Sequence, residues 1–419
     1  MQGIKIYNKW NIYSIILIIQ VLYSLKAWFL WWIPGQTATV LIFLISLFYF
    51  TYAPFWNFRD NKRVVASVVL IILFLYQADG NMNAYMLRFM ESFAIIPLVL
   101  LKPKYQMDLL EKFQKVFTVI LAVSLAFWIL HFMGINLPST PITYGQVDRG
   151  QGLEAQYLFE NHYVFLVNQS WMLKSYAVVP SFLRFCSIFL EPGYLAILMV
   201  FFLFINKFEF QKRRNQLYIA TIIATVSLAG FLMVAFAYIA LRLQHAKRGI
   251  AGIILLLLVS FASYNFFQNY NGGRNFINEG VIERLELDDE RGIAGNNRTT
   301  LNFNDQFQKI VTSPDVIFGK GNRYVKDLGG VNVGYKVYIM KYGAIGLILF
   351  LTYLLIIVKT GNGYRAFIMF VLYVLMFIRG DASIFWEGFI LVYVGGIAQT
   401  KYESLTHEIN SNSITLQRV

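Results

Sequence analysis

The sequence predicts an all-α, polytopic integral membrane protein, and its composition and apolar patterning carry that prediction. The 419 residues are 57% hydrophobic and 14% charged, whereas an ordinary soluble domain is roughly 25% charged. Apolar runs long enough to cross a bilayer recur from one end of the chain to the other, which leaves no room for a separate soluble domain. The single cysteine, Cys186, excludes an internal disulfide.

The apolar segments give about 12 transmembrane helices, with 11 as the alternative. The candidate spans lie near residues 11–30, 37–54, 64–79, 84–101, 116–133, 186–205, 217–241, 250–267, 336–358, 364–379 and 383–399. The block 217–241 is either one crossing or a hairpin of two short halves that turns near Ala229-Gly230, and we favour the hairpin. A short half-span is tolerated where protein or water covers its backbone. The first run is too long for a signal-peptide core, so we expect it to be retained as a helix.

Charge placement predicts the sidedness of these spans. The linkers 59–63, 102–115, 207–214, 242–248 and 359–365 are rich in lysine or arginine, whereas 33–36 and 78–83 contain neither. By the positive-inside rule the basic linkers and both termini are cytoplasmic. The net charge of +13 therefore reflects cytoplasmic loops, and no nucleic-acid partner is indicated. The whole chain, 1–419, is one transmembrane domain in this interpretation, with external loops 134–183 and 268–335.

Polar groups within the spans lie almost entirely toward the external side. Among them are Lys26, Gln77, Asp79, Arg88, Glu91, Glu191, Lys341, Arg379 and Asp381. Lys26 and Asp79 are typical of charges that reach the interface from a helix end. Arg88 and Glu91 are three residues apart on one helical face, so a structural ion pair and a role in a site are both open.

The two external loops contain candidate binding residues. The loop 134–183 holds Arg149, His162 and several aromatic residues, and its stretch from Tyr163 predicts a β-hairpin lying on the membrane. The loop 268–335 holds Arg274 and Arg298, then a helical pattern through Phe303, Phe307 and Ile310 that ends at Ser313-Pro314. A glycine turn, Phe318-Gly-Lys-Gly321, follows and leads into Arg323 and Tyr324. Such a turn can approach a ligand through its backbone amides. Neither loop has the ligand spacing of a metal site.

The best indication of chemistry is the segment from Arg184 to Glu191-Pro192-Gly193, at the entrance of the span 186–205. A guanidinium and a carboxylate at the edge of hydrocarbon are costly and are usually kept for a task. Several arginines at the external surface suit a phosphate or diphosphate. A guanidinium can stabilise a departing diphosphate while a carboxylate or imidazole takes a proton from an attacking hydroxyl. Proline in the first turn also predicts that a helix starts at Glu191-Pro192.

The chain resembles the bacterial polysaccharide repeat-unit polymerases (Wzy-type) and, more distantly, the O-antigen ligases. The resemblance rests on Arg184-x6-Glu191-Pro192-Gly193, on Ser227-Leu-Ala-Gly230, and on Arg298 followed by Phe318-Gly-x-Gly321 and Tyr342-Gly-Ala-Ile-Gly346. It implies an inverting, metal-independent glycosyltransferase without a cofactor in the bacterial inner membrane. The enzyme would transfer a growing glycan from undecaprenyl diphosphate onto a new lipid-linked repeat unit, which builds O-antigen or capsule polysaccharide.

The same resemblance assigns roles to individual residues. Arg184 and Arg298 would contact the diphosphates, and Glu191 would act as the base or orient an arginine. Arg88, Arg149, His162, Arg274, Arg323 and Tyr324 are held in reserve as further candidates for substrate binding. The expected partners are the undecaprenyl-diphosphate-linked oligosaccharide, membrane lipid and a separate protein that regulates chain length.

Two other functions stay open at this point. A ligase would transfer finished glycan to the lipid A core of lipopolysaccharide and would depend on a loop histidine, for which His162 is the candidate. A transporter or flippase for the lipid-linked sugar is the alternative from a different class. Transporters tend to show inverted repeats and charges at the bilayer midplane. We find no internal repeat, and the charges lie toward the external side.

Overall fold

A computed structural model describes residues 2–52, 54–78, 80, 82–143, 158–168, 172–173, 182–243, 264–273, 278, 282–283, 301–328, 334–380 and 384–416. The described part is mostly helical. Its principal helices are α1 (Gln2–Ser24), α2 (Gly35–Tyr52), α3 (Asn61–Tyr76), α4 (Met82–Leu100), α5 (Pro103–Phe132), α6 (Pro192–Ile205), α7 (Arg213–Thr225), α8 (Leu228–Leu243), α9 (Leu301–Val311), α10 (Asp315–Phe318), α11 (Gly321–Asp327), α12 (Gly334–Val358), α13 (Gly363–Arg379) and α14 (Glu387–Leu416).

Three of these helices are long and apolar enough to cross a membrane: α4, α5 and α12. Shorter apolar helices include Pro192–Ile205 and Leu228–Leu243. Apolar side chains at helical spacing are also exposed, for example Ile12, Ile15 and Ile19 on α1, which are 60%, 58% and 50% exposed. Contiguous exposed apolar surface of this kind is typical of lipid contact. Together these features indicate a membrane-associated helical protein.

The chain divides into two compact units. The first comprises residues 1–116, 310–327 and 334–419, and the second comprises 117–309 and 328–333. In the first unit α3 packs against α4 and α12, and α14 packs against α1, α4 and α13. In the second unit α7 and α8 both pack against α6, whose residues from Leu195 to Ile205 are almost all buried.

Several helix ends differ from the sequence prediction. The first helix ends at Ser24 rather than near residue 30, and a short 3₁₀ turn occupies Trp28–Leu30. The fifth helix begins at Pro103 rather than near 116, because the charged residues before the apolar run continue the helix as salt-bridged turns, with Lys112 Nζ 2.9 Å from Asp108 Oδ2. The sixth begins at Pro192 rather than 186. The predicted span 250–267 lies largely outside the described residues.

The long apolar block 217–241 is broken, but at a different point from the turn that the sequence predicted. α7 ends at Thr225, Val226 adopts a left-handed conformation (φ 43°), and α8 begins at Leu228. The predicted turn at Ala229-Gly230 is wrong, since both residues lie within α8. The reason is that the Ser227 hydroxyl accepts a hydrogen bond from the Gly230 amide at 3.3 Å, which caps a new helix.

The described strands lie in the loop 134–183, which the sequence predicts to be external. β1 (Thr140–Thr143), β2 (Leu158–Asn161) and β3 (Leu166–Val167) form one antiparallel sheet, and β4 (Met172–Leu173) pairs with β5 (Phe182–Leu183). The predicted hairpin from Tyr163 is therefore wrong in its pairing. Leu166 pairs with Asn161 rather than with the strand at Met172, because His162 and Phe165 close a tight turn through the bond from the His162 amide to the Phe165 carbonyl.

Candidate functional site

The segment from Arg184 to Glu191 is built onto the break between α7 and α8. Arg184 Nε donates to the Thr225 carbonyl at 2.9 Å, and the Phe185 amide donates to the Ala224 carbonyl at 2.9 Å. The last carbonyls of a helix have no partner within the helix, and a cation is favourable there. Arg184 therefore stabilises the end of α7 while it remains only partly buried.

Glu191 starts helix α6. It occupies the N-cap position in an extended conformation (φ −140°), and Pro192 takes the first helical turn. The predicted helix start at Glu191-Pro192 is thus confirmed. Gly230 of α8 allows close packing on this helix, because a Cβ at Gly230 would lie 2.7 Å from Ala196 Cβ. The first two motifs of the resemblance therefore belong to one packed cluster, in which α6, α7 and α8 meet.

His162 is held as a structural side chain. It is 5% exposed, its ring stacks on Phe165 with centroids 4.7 Å apart, and its Nδ1 lies 3.2 Å from the Pro138 carbonyl. The His131 ring is 4.7 Å away, and Glu160 Oε1 lies 3.8 Å from His162 Nε2. These contacts favour the structural interpretation of this histidine.

Three predicted site residues, Arg149, Arg274 and Arg298, lie outside the described residues. The helical pattern after Arg298 is confirmed as α9, with Phe303 and Ile310 each 1% exposed. Arg323 is exposed on α11, and the Tyr324 ring lies 5.5 Å from the Lys320 ammonium.

The first unit contains a cavity of about 430 Å³, within the size range of small-molecule sites. The charged side chains that line it are Lys26, Arg88, Glu91, Lys341 and Glu387. Arg88 and Glu91 form an ion pair at 2.7 Å in which each side chain is about a third exposed, at 33% and 26%. The structural ion pair predicted from the sequence is therefore present, and it also lines the cavity.

Uncharged polar and aromatic side chains complete this cavity. Gln77, Asn322, Tyr23, Tyr338, Tyr342, Phe385 and Trp386 are among them. Gln77 Nε2 donates to the Tyr338 hydroxyl at 2.9 Å, and the Tyr342 hydroxyl donates to Asn322 Oδ1 at 3.0 Å. Aromatic faces beside polar groups suit a saccharide, whose ring has apolar faces and polar edges.

A break in helix α12 presents Lys341 and Tyr342 to the cavity. Gly343 interrupts the helix with φ 62° and ψ −168°. The turn at Gly319 packs on this break so closely that a Cβ at Gly319 would lie 2.5 Å from the Lys341 carbonyl oxygen. The Tyr76 hydroxyl lies 3.1 Å from the carbonyls of both Phe318 and Tyr342. The glycine turn that sequence analysis read as a possible ligand contact is thus filled by protein backbone.

The Phe318-Gly-Lys-Gly turn also leads into a short helix, α11, that the sequence pattern did not predict. Outside the spans, Lys320 Nζ lies 2.8 Å from Asp315 Oδ2 across this turn. The hydrogen bond from Lys320 lowers the pKa of the Asp315 carboxyl, and the same bond raises the pKa of Lys320. The ion pair holds the turn against α12, and Asn322 of α11 lines the cavity.

Four of the five charged groups of the cavity come from helix halves that the sequence predicts to be external. Lys26 follows α1, Arg88 lies in the first half of α4, Lys341 precedes the break in α12, and Glu387 begins α14. At other helix ends of this unit the basic linkers meet, since Lys62 Nζ donates to the Lys359 carbonyl and Arg365 pairs with Glu403.

Sequence reasoning missed Glu387 and Asn322 and interpreted Lys26 only as an interfacial charge. The available signal for Glu387 was an acid within the apolar segment 383–399, which by itself suggests a site. Among the residues that the structure describes, no three histidine, cysteine or acidic side chains are grouped to hold a metal ion. No protein-family model, curated protein or solved structure matches the chain.

Proposed function

We propose that the chain is a bacterial inner-membrane glycosyltransferase that polymerises undecaprenyl-diphosphate-linked oligosaccharide repeat units into O-antigen or capsule polysaccharide. The observation that carries the proposal is the cavity of the first unit, where cations, carboxylates and aromatic rings meet at helix ends predicted to be external. Undecaprenyl diphosphate carries its sugar at the external face of the membrane, so the substrate would reach the cavity from that side.

The cavity supplies the chemical groups that such a transfer needs. The ammonium groups of Lys26 and Lys341 can stabilise a diphosphate as it departs with the bonding electron pair. A carboxylate can take the proton of the attacking hydroxyl. Tyr23, Phe385 and Trp386, which are only partly buried, line the cavity with aromatic surface that a sugar ring can contact. Cationic side chains can in this way neutralise the charge of the departing diphosphate, as a divalent metal ion does in other enzymes.

The arginines and the acid predicted from the resemblance keep their roles within the proposal. Arg184, stabilising the end of α7, lies on the same packed cluster as Glu191. Arg184 and Arg298 would contact diphosphate, and Glu191 would orient an arginine or act as a base. A partner that regulates chain length is part of this proposal.

A deletion strain tests the function. A gel of its surface polysaccharide should show lipid core carrying a single repeat unit, because ligation continues without polymerisation. Full-length polymer held on the lipid carrier above bare core would instead identify a ligase. Repeat units trapped on the inner leaflet would identify a transporter.

Complementation of the same strain tests the predicted residues. Arg184→Ala, Glu191→Gln and Arg298→Ala should each shorten or abolish the polymer while the protein remains in the membrane. Arg184→Lys keeps a positive charge at the end of α7, so its comparison with Arg184→Ala separates the effect of the charge from that of the guanidinium group. Normal chain length from all three substitutions would show that these residues take no part in the transfer.

A further inference from the structure

The cavity holds two carboxylates in different surroundings. Glu91 is paired with a guanidinium, because Arg88 Nη1 lies 2.7 Å from Glu91 Oε2. Glu387 is hydrogen-bonded to neutral groups instead: the side chains of Ser24 and Gln20 and its own backbone amide form hydrogen bonds with its carboxylate. A carboxylate offers about four acceptor positions, so these three contacts leave capacity for one further donor. Glu387 also keeps surface that faces the cavity.

Close packing of α14 on the turn after α1 places Glu387. A Cβ at Gly388 would lie 2.8 Å from Leu25 Cδ2, so a larger residue here would displace the Leu25 side chain. The Gly388 amide donates to the Ser24 hydroxyl at 3.2 Å. Gln20 is itself fixed by a bond from its Nε2 to the Ala94 carbonyl at 2.8 Å. The carboxylate therefore rests in a rigid setting formed by three helices.

Lys26 is the cation whose charge acts on Glu387. Its backbone is left-handed, with φ 61°, a conformation that is strained for a residue other than glycine. Two bonds maintain it: Trp31 Nε1 donates to the Lys26 carbonyl at 2.9 Å, and the Lys26 amide donates to the Tyr23 carbonyl at 3.0 Å. Strained backbone of this kind is characteristic of functional sites.

We propose that Glu387 accepts the proton of the acceptor sugar in the transfer, with Lys26 as its positioning partner. The acceptor hydroxyl oxygen forms a bond to the anomeric carbon of the donor, and the bond from that carbon to the phosphate oxygen breaks. The electron pair departs with the diphosphate, and the hydroxyl proton moves to the Glu387 carboxylate. This inference rests on the proposed function and replaces Glu191 by Glu387 as the base.

The test uses membranes of the deletion strain that contain each variant, supplied with the lipid-linked repeat units which that strain accumulates. Glu387→Gln keeps the size of the side chain and should reduce the polymerisation rate about 100-fold or more, as expected for loss of a general base. Glu387→Asp should retain part of the rate. Glu209→Gln is the matched control, because Glu209 is exposed and paired with Lys212 in a basic linker, and its rate should be unchanged.

Two further readouts separate a base from a structural acid. The residual rate of Glu387→Gln should lack the decline toward acid pH that protonation of a base causes. Glu387→Ala should regain activity with added formate, which can enter the vacated space and accept the proton. A merely structural carboxylate would show neither effect.

The outcomes also separate this inference from the proposed function. If the deletion abolishes polymer and Glu387→Gln polymerises within about threefold of the unaltered protein, Glu387 is not the base and the function stands. If Glu387→Gln is slow but formate has no effect and the pH profile is unchanged, its role is structural and the inference is overturned. If the deletion strain makes normal polymer, the proposed function and the role of Glu387 are both contradicted.

Discussion

The left-handed backbone of Lys26 connects a strained residue to a charged cavity. Its φ of 61° is fixed by the indole of Trp31 and the carbonyl of Tyr23, while its side chain lines the cavity beside Glu387. A lysine has no conformational reason to occupy a position that glycine would occupy without strain. Under the proposed function, the ammonium group beside the reacting sugars offsets this strain.

Substitution at Lys26 can separate strain from charge. Lys26→Gly removes the ammonium group and relieves the strained backbone. We therefore expect the free energy of unfolding of Lys26→Gly to exceed that of Lys26→Ala by about 1 kcal/mol, and its unfolding temperature to be higher. Both variants should lose polymerisation. Thermal unfolding in detergent and the polysaccharide ladder measure the two effects. Equal stability of the two variants would contradict the strain argument, and normal polymer from either would exclude a role of the ammonium.

At the scale of elements, the break in α12 gives the cavity two of its lining residues. Gly343 and Gly319 both have positive φ, and each lies against the backbone of the other segment. A Cβ at Gly343 would lie 2.3 Å from the Ile317 carbonyl oxygen. The irregular backbone at this depth is covered by the turn before α11, which is the condition for a broken helix within a membrane.

Gly343→Ala should therefore disrupt the break. The substitution combines an unfavourable φ with a backbone clash, so we expect several-fold less protein in the membrane and a lower unfolding temperature. Gly363→Ala is the matched control: Gly363 has φ 71°, but nothing lies within 4 Å of its Cβ position. Its cost should be limited to the conformational term of about 1 kcal/mol. Similar abundance and unfolding temperature for the two variants would show that the contact with Ile317 does not matter.

The helices were predictable from the sequence to the extent that hydropathy determines them. Apolar runs located α2, α3, α4, α12 and α13 to within a few residues. Helix ends depended on polar contacts that hydropathy does not report, such as the Asp108–Lys112 pair in α5. The pairing of the strands near Tyr163 depended on a single tight turn.

The candidate site was less predictable than the fold. Arg88 and Glu91 were found because they are neighbours on one helix. Glu387 was missed because its setting is created by residues more than 360 positions away, including the bond from Gly388 to Ser24. The proximity of Glu387 to the residues around Ser24 follows from tertiary packing, and no local sequence pattern predicts it.

For the whole molecule, the number of membrane crossings is the open quantity that labelling can determine. The native Cys186 is fully buried, so an introduced cysteine reports alone. With 12 crossings, Ala246→Cys should be protected from a membrane-impermeant maleimide and Asn296→Cys should be labelled. With 11 crossings, Ala246→Cys should be labelled and Asn296→Cys should be protected. Gln36→Cys, predicted external, and Lys212→Cys, predicted cytoplasmic, calibrate the labelling, and any other pattern would contradict both topologies.

The contact between Gly319 and the break in α12 also limits how this protein can vary. The turn from Phe318 to Gly321 and the first half of α12 form one unit, joined backbone to backbone and by the Tyr76 hydroxyl. A loop transplanted from a different protein would meet a helix shaped for another turn. Hybrids that exchange this loop should therefore exchange residues 310–346 as a block and carry Tyr76 with them.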